Sequence, residues 1–292
     1  MPSRNVPRTA APVEPQRARN LRQVRALLGR VCQGVPMGSH RLPGGFDGGA
    51  HLVDGSVRRN SGPWTTSVHH LLAHLADAGF SGAPLPLGRD GQGREVLTLL
   101  NGQTVGDTLP WPQWVHSEEA LDQVADWLRR YHAAVADFLP ARDAVWREGR
   151  AWRPGLLVAH GDPAPYNAVW NAAGLVGFVD WDMAGPSTPE ADVAWMAFSW
   201  VPLHARRVVA TEGFTAFAQR RRRLEAFLAR YGWDGSTADI VDLVAARIED
   251  QLRIMHETAR AGDAAYRRML RLGRDQDLRS ALEELTDLTA GR

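Results

Sequence analysis

Hydrophobic residues recur at spacings of three and four along much of the chain after about residue 117. The clearest run consists of Leu121, Val124, Leu128, Tyr131, Val135 and Phe138. This spacing places apolar side chains on one face of a helix. Ser117 can cap the helix, with Glu118 in its first turn, and Pro140 stops it. A similar pattern from Glu212 onward predicts that this part of the chain is mainly helical.

The earlier part of the chain instead carries short apolar segments separated by turn residues. The predicted elements are strands over 50–53, 56–59 and 95–100, and a helix over 65–78. Asp54-Gly55 between the first two strands is a dipeptide typical of tight hairpins. The predicted fold class is therefore α+β, with a small β-rich lobe at 21–100 and a larger, mainly helical lobe at 101–292.

The composition of the chain argues against several classes of function and partner. The formal net charge of +1 gives no overall bias toward nucleic acid or an anionic membrane. No apolar run approaches the roughly 20 residues that a membrane helix needs. Residues 1–20 lack the apolar core of a secretory signal and are predicted to be a disordered arm. Cys32 is the only cysteine, so no intrachain disulfide can form. We expect a cytoplasmic protein, a monomer or homodimer, with no nucleic-acid or membrane partner.

Polar residues follow two short apolar strands predicted at 156–159 and 175–179. His160, Asp162 and Asn167 come after the first strand, in a loop stiffened by two prolines, and Asp180 comes after the second. If the two strands pair, these side chains converge. Carboxylate and amide oxygens suit Mg²⁺, which often takes only one or two protein carboxylates. Phosphoryl transfer needs such a cation and a carboxylate that orients the attacking hydroxyl. A metallophosphoesterase would need further clusters of His and Asp, which this sequence lacks.

The motif His160-Gly161-Asp162-x-x-x-x-Asn167, followed by an apolar strand that ends in Asp180-Trp181-Asp182, resembles the aminoglycoside phosphotransferase-type small-molecule kinases. The resemblance extends from about residue 42 to residue 192, and more loosely to residue 273. It implies a two-lobed protein-kinase-like fold with nucleotide in the cleft. It also implies the site residues. Asp162 would be the catalytic base and His160 would brace its loop. Asn167 and Asp180 would hold Mg²⁺, and Asp182 would support them or face the substrate.

The expected activity is therefore ATP- or GTP-dependent phosphorylation of a hydroxyl on a small molecule, such as an antibiotic or a metabolite. A polycationic acceptor would favour an acidic pocket, for which Glu249, Asp250 and Glu257 are candidates. The alternative is a binding or immunity protein that keeps the kinase fold but has lost catalysis. A nucleotide-hydrolysis assay with Mg²⁺ and hydroxylated acceptors would separate the two.

The nucleotide side of the site departs from the family pattern. A kinase presents a Lys from a strand to the phosphates and pairs it with a Glu on the next helix. This chain contains no Lys, and no acidic residue lies between Arg59 and Asp77. Arg58 is the favoured replacement and Arg59 the alternative. Arg58 is expected to reach the nucleotide phosphates and to be positioned by packing and backbone carbonyls, not by a helix carboxylate. The missing helix carboxylate favours the catalytically impaired alternative.

Two further segments are candidates for nucleotide contacts. Gly44 and Gly45 lie in a glycine-rich stretch before the hairpin, where a phosphate-covering loop is expected. Leu99 and Leu100 end the strand predicted at 95–100 and match the hinge between the lobes, where backbone groups would meet the purine.

Overall fold

Short strands with tight turns build an antiparallel sheet at the start of the described chain. The computed structural model describes residues 39–42, 49–106 and 109–289. The strands are β1 (Ser39–Arg41), β2 (His51–Val53), β3 (Ser56–Arg59), β4 (Pro86–Arg89) and β5 (Glu95–Thr98). Their order in the sheet is β1-β2-β3-β5-β4. Asp54 and Gly55 both have positive φ angles, 48° and 75°, which suit a tight hairpin between twisted strands.

The register of this sheet matters for the site. β3 pairs with β5, and Arg59 lies directly opposite Glu95. Neighbouring residues of a strand point to opposite faces, so Arg58 and Arg59 face different surroundings. Helix α1 (Thr65–Asp77) buries Leu71, Leu72 and Leu75 in the core. β4 is not among the strands predicted from the sequence.

Helices dominate the remainder of the chain. They are α2 (Glu118–Val135), α3 (Pro189–Trp200), α4 (Arg206–Thr211), α5 (Arg220–Tyr231), α6 (Thr237–Arg260), α7 (Ala264–Arg271) and α8 (Arg274–Thr289). The Ser117 side chain accepts a hydrogen bond from the amide of Ala120, which confirms the predicted cap of α2. Leu128 and Tyr131 of α2 are fully buried, as the apolar spacing predicts, and Trp127 is buried beside them. None of the helices in the described ranges is both long and apolar enough to cross a membrane.

Two antiparallel sheets of two strands each lie between α2 and α3. Their strands are β6 (Leu157–Ala159), β7 (Ala168–Asn171), β8 (Gly174–Phe178) and β9 (Gly185–Ser187). β6 pairs with β9, and β7 pairs with β8. The strands before His160 and Asp180, whose pairing was the condition for bringing these side chains together, do not pair with each other. The two segments meet just beyond their strands instead, where the Val179 amide donates to the carbonyl of Asn167 at 2.9 Å.

The fold class is α+β, as predicted from the sequence. Predicted elements agree with the structure to within a few residues: the strand at 95–100 ends at Thr98, and the helix at 65–78 ends at Asp77. The segment after β5 runs against β7, where Gln103 and Trp170 exchange two backbone hydrogen bonds of 2.8 Å. The predicted arm at 1–20, together with Gly44 and Gly45, lies outside the described residues.

Candidate active site

His160 fixes the start of the loop that carries Asp162. The imidazole is 1% exposed, and its Nε2 lies 3.1 Å from the carbonyl of Val179. Its Nδ1 accepts from the Asp162 amide at 3.3 Å. Burial lowers the pKa of His160 to about 4, so the ring is neutral at pH 7. A neutral ring with its proton on Nε2 donates to one segment and accepts from the other, which ties the loop to the end of β8.

The loop backbone is held by close contacts on both sides. Gly161 has φ of 85°, and a Cβ at this position would lie 2.0 Å from the carbonyl oxygen of Met183. Only glycine fits that approach. The indole nitrogen of Trp195 donates to the Gly161 carbonyl at 3.1 Å, and that of Trp200 donates to the Pro163 carbonyl at 2.7 Å. Packing from α3 therefore positions the loop.

Both carboxylate oxygens of Asp162 accept hydrogen bonds from its own loop. The Tyr166 hydroxyl donates to Oδ1 at 2.9 Å, and Asn167 Nδ2 donates to Oδ2 at 2.9 Å. Burial and the negative charge of Asp180 raise the pKa of Asp162 to about 6. A carboxylate with this pKa is ionised at neutral pH and is a stronger base than an ordinary Asp. Tyr166 itself is 46% exposed, so the base lies next to solvent-accessible space.

Asn167 and Asp180 present oxygens suited to a hard cation. Because Asn167 Nδ2 is directed toward Asp162, its amide oxygen points elsewhere and accepts no hydrogen bond within the described part of the chain. Asp180 follows β8 with φ of 63°, a left-handed conformation that is uncommon outside glycine. Its side chain is 42% exposed. Within the described ranges no three His, Cys, Asp or Glu residues form a metal-binding group. The donor set therefore fits a cation whose shell is completed by other ligands.

Arg59 lies at the centre of a group of carboxylates. Its Nη2 lies 2.9 Å from Asp180 Oδ1 and 2.7 Å from Asp182 Oδ2, and its Nε lies 3.0 Å from Glu95 Oε1. Burial alone would lower the pKa of Arg59, but these three carboxylates together raise it above its ordinary value. The guanidinium is therefore a permanent cation that connects the N-terminal sheet to the end of β8.

The structure directs Arg58 away from this group. Its Nη1 donates to Ser56 Oγ at 2.8 Å, and its Nε lies 3.8 Å from Asp90. The register that favoured Arg58 from the sequence therefore differs from the structure by one residue. The sequence predicts that packing and backbone carbonyls, and no helix carboxylate, position the arginine; Arg59 instead contacts Glu95, whose carboxylate lies on a strand.

Glu95 is a site residue that sequence reasoning missed. It is 2% exposed, and its second oxygen lies 3.0 Å from Nε2 of His69 on α1. The sequence feature that could have pointed to Glu95 is an acidic residue at the start of an otherwise apolar strand. Its meaning depends on the pairing of β3 with β5, which the sequence does not specify.

The other predicted residues are spread more widely. Asp182 lies beside Arg59 and also 3.5 Å from Arg147. Leu99 is 39% exposed and Leu100 half-buried, both in the segment after β5. The acidic set on α6 is largely neutralised. Asp250 contacts Arg150, Arg247 and Arg253, and Glu257 contacts Arg253. Glu249 is exposed.

Comparison by sequence finds one family and one curated relative. The sequence pattern of the phosphotransferase enzyme family, abbreviated APH, matches residues 137–234, which include the loop from His160 to Asn167 and the end of β8. The trifolitoxin immunity protein of Rhizobium leguminosarum bv. trifolii is 34% identical over 183 residues, which span 61% of this chain and 68% of the relative.

Solved structures of kinase-like enzymes share the fold. An aminoglycoside 2'-phosphotransferase-IIIa in its GDP complex is 16% identical and has a TM-score of 0.54, covering 93% of this chain and 98% of its own. A choline/ethanolamine kinase family protein from Mesorhizobium loti is also 16% identical with a TM-score of 0.54, covering 93% of this chain and 100% of its own. The predicted two-lobed, protein-kinase-like fold is confirmed.

Proposed function

The chain belongs to the phosphotransferase enzyme family, and we propose that it transfers the γ-phosphate of ATP or GTP to a hydroxyl group of a small molecule. In this proposal the nucleotide lies between the N-terminal sheet and the helical part. Its phosphates meet Arg59 on one side and the loop from His160 to Asn167 on the other. The acceptor hydroxyl approaches Asp162.

Arg59 is the candidate for the phosphate contact on the sheet side. A guanidinium cannot be deprotonated in a protein, and its planar fork of donors matches phosphate oxygens. Its Nη1 makes no hydrogen bond within the described part of the chain, whereas Nε and Nη2 are engaged by carboxylates. Nη1 is therefore the nitrogen of the guanidinium that can donate to a ligand.

Asn167 and Asp180 are the residues that would hold Mg²⁺. The free amide oxygen of Asn167 and the exposed carboxylate of Asp180 fit such an ion. When bound, Mg²⁺ would neutralise charge on the phosphate oxygens. Arg59 contacts Asp180 at Oδ1, and the three carboxylates around Arg59 outnumber its single positive charge, which favours a cation at the end of β8.

Asp162 is the candidate base for the acceptor. Its raised pKa leaves it ionised at neutral pH while making it a better proton acceptor than an ordinary Asp. Tyr166 donates to the same oxygen that an acceptor hydroxyl would use, so the acceptor must take the place of the phenol or share that oxygen with it. Asn167 keeps the carboxylate oriented from its other oxygen.

One observation supports the proposal most strongly. Asn167 donates to Asp162, its carbonyl accepts from Val179, and the next residue, Asp180, contacts Arg59. A chain of direct contacts therefore links the candidate base, both candidate metal ligands and the candidate phosphate ligand. A protein that used this fold only as a scaffold would have no need for that chain.

The test is product formation. The protein is incubated with Mg²⁺, ATP or GTP and a panel of hydroxylated acceptors that spans sugars, amino alcohols and antibiotics. Mass spectrometry then reports the added phosphate. The proposal expects a phosphorylated acceptor with the parent and about 10²–10⁴-fold slower formation of it with Asp162→Ala. Tight nucleotide binding by a parent that neither hydrolyses nucleotide nor phosphorylates any acceptor would favour the second candidate instead.

That second candidate is a binding or immunity function without phosphoryl transfer. The identity of 34% to a trifolitoxin immunity protein favours it, because that relative is described by protection from a toxin and not by a reaction. The intact contacts around Asp162 and Asn167 favour catalysis. The two functions are compatible if protection is achieved by phosphorylating a hydroxyl of the toxin.

A further inference from the structure

A buried carboxylate joins three elements at the edge of the proposed nucleotide site. Glu95 of β5 is 2% exposed. One of its oxygens lies 3.0 Å from Nε of Arg59 on β3, and the other lies 3.0 Å from Nε2 of His69 on α1. Each oxygen thus contacts a different element, and the sheet register places Arg59 directly opposite Glu95.

The contact with Glu95 determines where the guanidinium can point. The Nε contact fixes the guanidinium at its base, and Nη2 is held by Asp180 and Asp182. A planar group held at two nitrogens has its remaining donor, Nη1, in a defined direction. Without Glu95, Arg59 would be held only at Nη2 by Asp180 and Asp182, and its long side chain would gain rotameric freedom.

We infer that Glu95 is a positioning residue: it orients the Arg59 guanidinium toward the nucleotide phosphates and links this orientation to helix α1 through His69. This inference rests on the proposed function. In protein kinases the corresponding cation is held by a Glu from the helix. Here the carboxylate comes from the neighbouring strand and the helix supplies a histidine, so the same three elements are connected with the roles exchanged.

Stability alone is a weak reason for such an arrangement. A buried ion pair often contributes little net stability, because both charges lose their hydration. An Asp or Glu is rarely buried to this extent unless it is paired. The orientation of Arg59 is the property that this carboxylate determines most directly.

Nucleotide binding separates a positioning role from a structural one. Affinities of the Mg²⁺ complexes of ATP and GTP, and of adenosine and guanosine, are measured by calorimetry for the parent, Glu95→Gln and Arg59→Ala. Glu95→Gln preserves shape but removes the charge. We expect it to weaken triphosphate binding about tenfold and to leave nucleoside binding unchanged. In the Arg59→Ala background, Glu95→Gln should have no further effect on affinity.

Asp90→Asn is the matched control. Asp90 lies 3.8 Å from Arg58, the neighbour of Arg59 on the same strand, and this variant should bind triphosphate as the parent does. His69→Gln tests the contact between Glu95 and helix α1, and it should weaken triphosphate binding by a smaller factor than Glu95→Gln.

Three outcomes overturn the inference. In the first, Glu95→Gln binds triphosphate like the parent. In the second, it weakens nucleoside and triphosphate equally. In the third, it weakens triphosphate binding as much without Arg59 as with it. Each of these leaves the proposed function in place if the parent binds and transfers phosphate. A parent that binds neither triphosphate overturns both.

Discussion

The two sides of the candidate site are built in different ways. On the loop side, Asn167 contacts Asp162 across five positions of sequence, and both residues belong to one motif. On the sheet side, Arg59 contacts Asp180 across 121 positions, and its other partner comes from a neighbouring strand. The loop side is a local structure whose residue spacing carries its geometry. The sheet side exists only after the lobes have come together.

This difference suggests separate tasks for the two sides. The loop side contains the candidate base and should control turnover. The sheet side contains the permanent cation and should control nucleotide affinity. Substitutions that affect one property without the other test whether the division is real.

Asp162→Ala should produce the largest effect. Loss of a general base typically lowers turnover by about 10²–10⁴-fold, while nucleotide affinity should stay near that of the parent. Steady-state kinetics with the best acceptor, combined with calorimetry, measures both. The control is Asp137→Ala, the same change at an exposed acid after α2. Unchanged turnover in Asp162→Ala would remove this residue from the mechanism.

Gly161→Ala tests the loop as a rigid structure. The added Cβ would meet the Met183 carbonyl at 2.0 Å with φ of 85°, so the backbone has to move. We expect a loss of about 3 kcal/mol in the free energy of unfolding, measured in urea. Gly155→Ala is the matched control, with φ of 93° but no atom within 4 Å, and should lose about 1 kcal/mol. Equal losses would mean that the close approach adds nothing.

Arg59→Ala should weaken nucleotide binding by about 10–100-fold, since it removes charge-assisted hydrogen bonds to phosphate. Arg59→Lys should weaken it nearly as much, because lysine lacks the forked donors that reach Glu95 and the phosphates together. Arg58→Ala should bind almost like the parent. If Arg58→Ala is the damaging variant, the strand register assigned to the site is incorrect.

Tyr166→Phe should give the smallest effect, a displacement of the pH profile. Asp162 acts as a base only when ionised, so turnover should rise with pH through about 6. The hydrogen bond from Tyr166 lowers the pKa of Asp162, and its loss raises that pKa. The acidic limb of kcat/KM, which reports the free enzyme, should therefore move to higher pH. Tyr231→Phe, which removes a hydroxyl bonded to His132, should leave it unmoved.

The contact between Asp162 and Asn167 on the loop side follows from the sequence for a physical reason. A stiff loop of a few residues holds its side chains in one arrangement, so the presence of Asp162 and Asn167 at their spacing nearly implies their contact. The apolar positions of α2 predicted its buried face in the same way. The sequence left open whether the strands before His160 and Asp180 pair; in the structure β6 pairs with β9 and β8 pairs with β7.

The sheet side could not be predicted to the same degree. To choose between Arg58 and Arg59, one must know which face of β3 meets the helical part of the chain. Adjacent residues of a strand point to opposite faces, and the local sequence does not specify which face that is. Glu95 gains its role from lying opposite Arg59, a pairing between strands separated by a helix and β4. The carboxylate of Glu95, which contacts Arg59, lies on strand β5 and not on the helix where a kinase carries its Glu.

A titration of nucleotide and Mg²⁺ tests the central claim most directly. ATP and GTP are titrated into the parent and into Asp180→Asn, each with and without Mg²⁺, and heats of binding are recorded. We predict that Mg²⁺ tightens triphosphate binding to the parent about tenfold or more, and that Asp180→Asn loses most of this gain. The claim is contradicted if the parent binds neither nucleotide at millimolar concentration, or if Asp180→Asn gains as much from Mg²⁺ as the parent does.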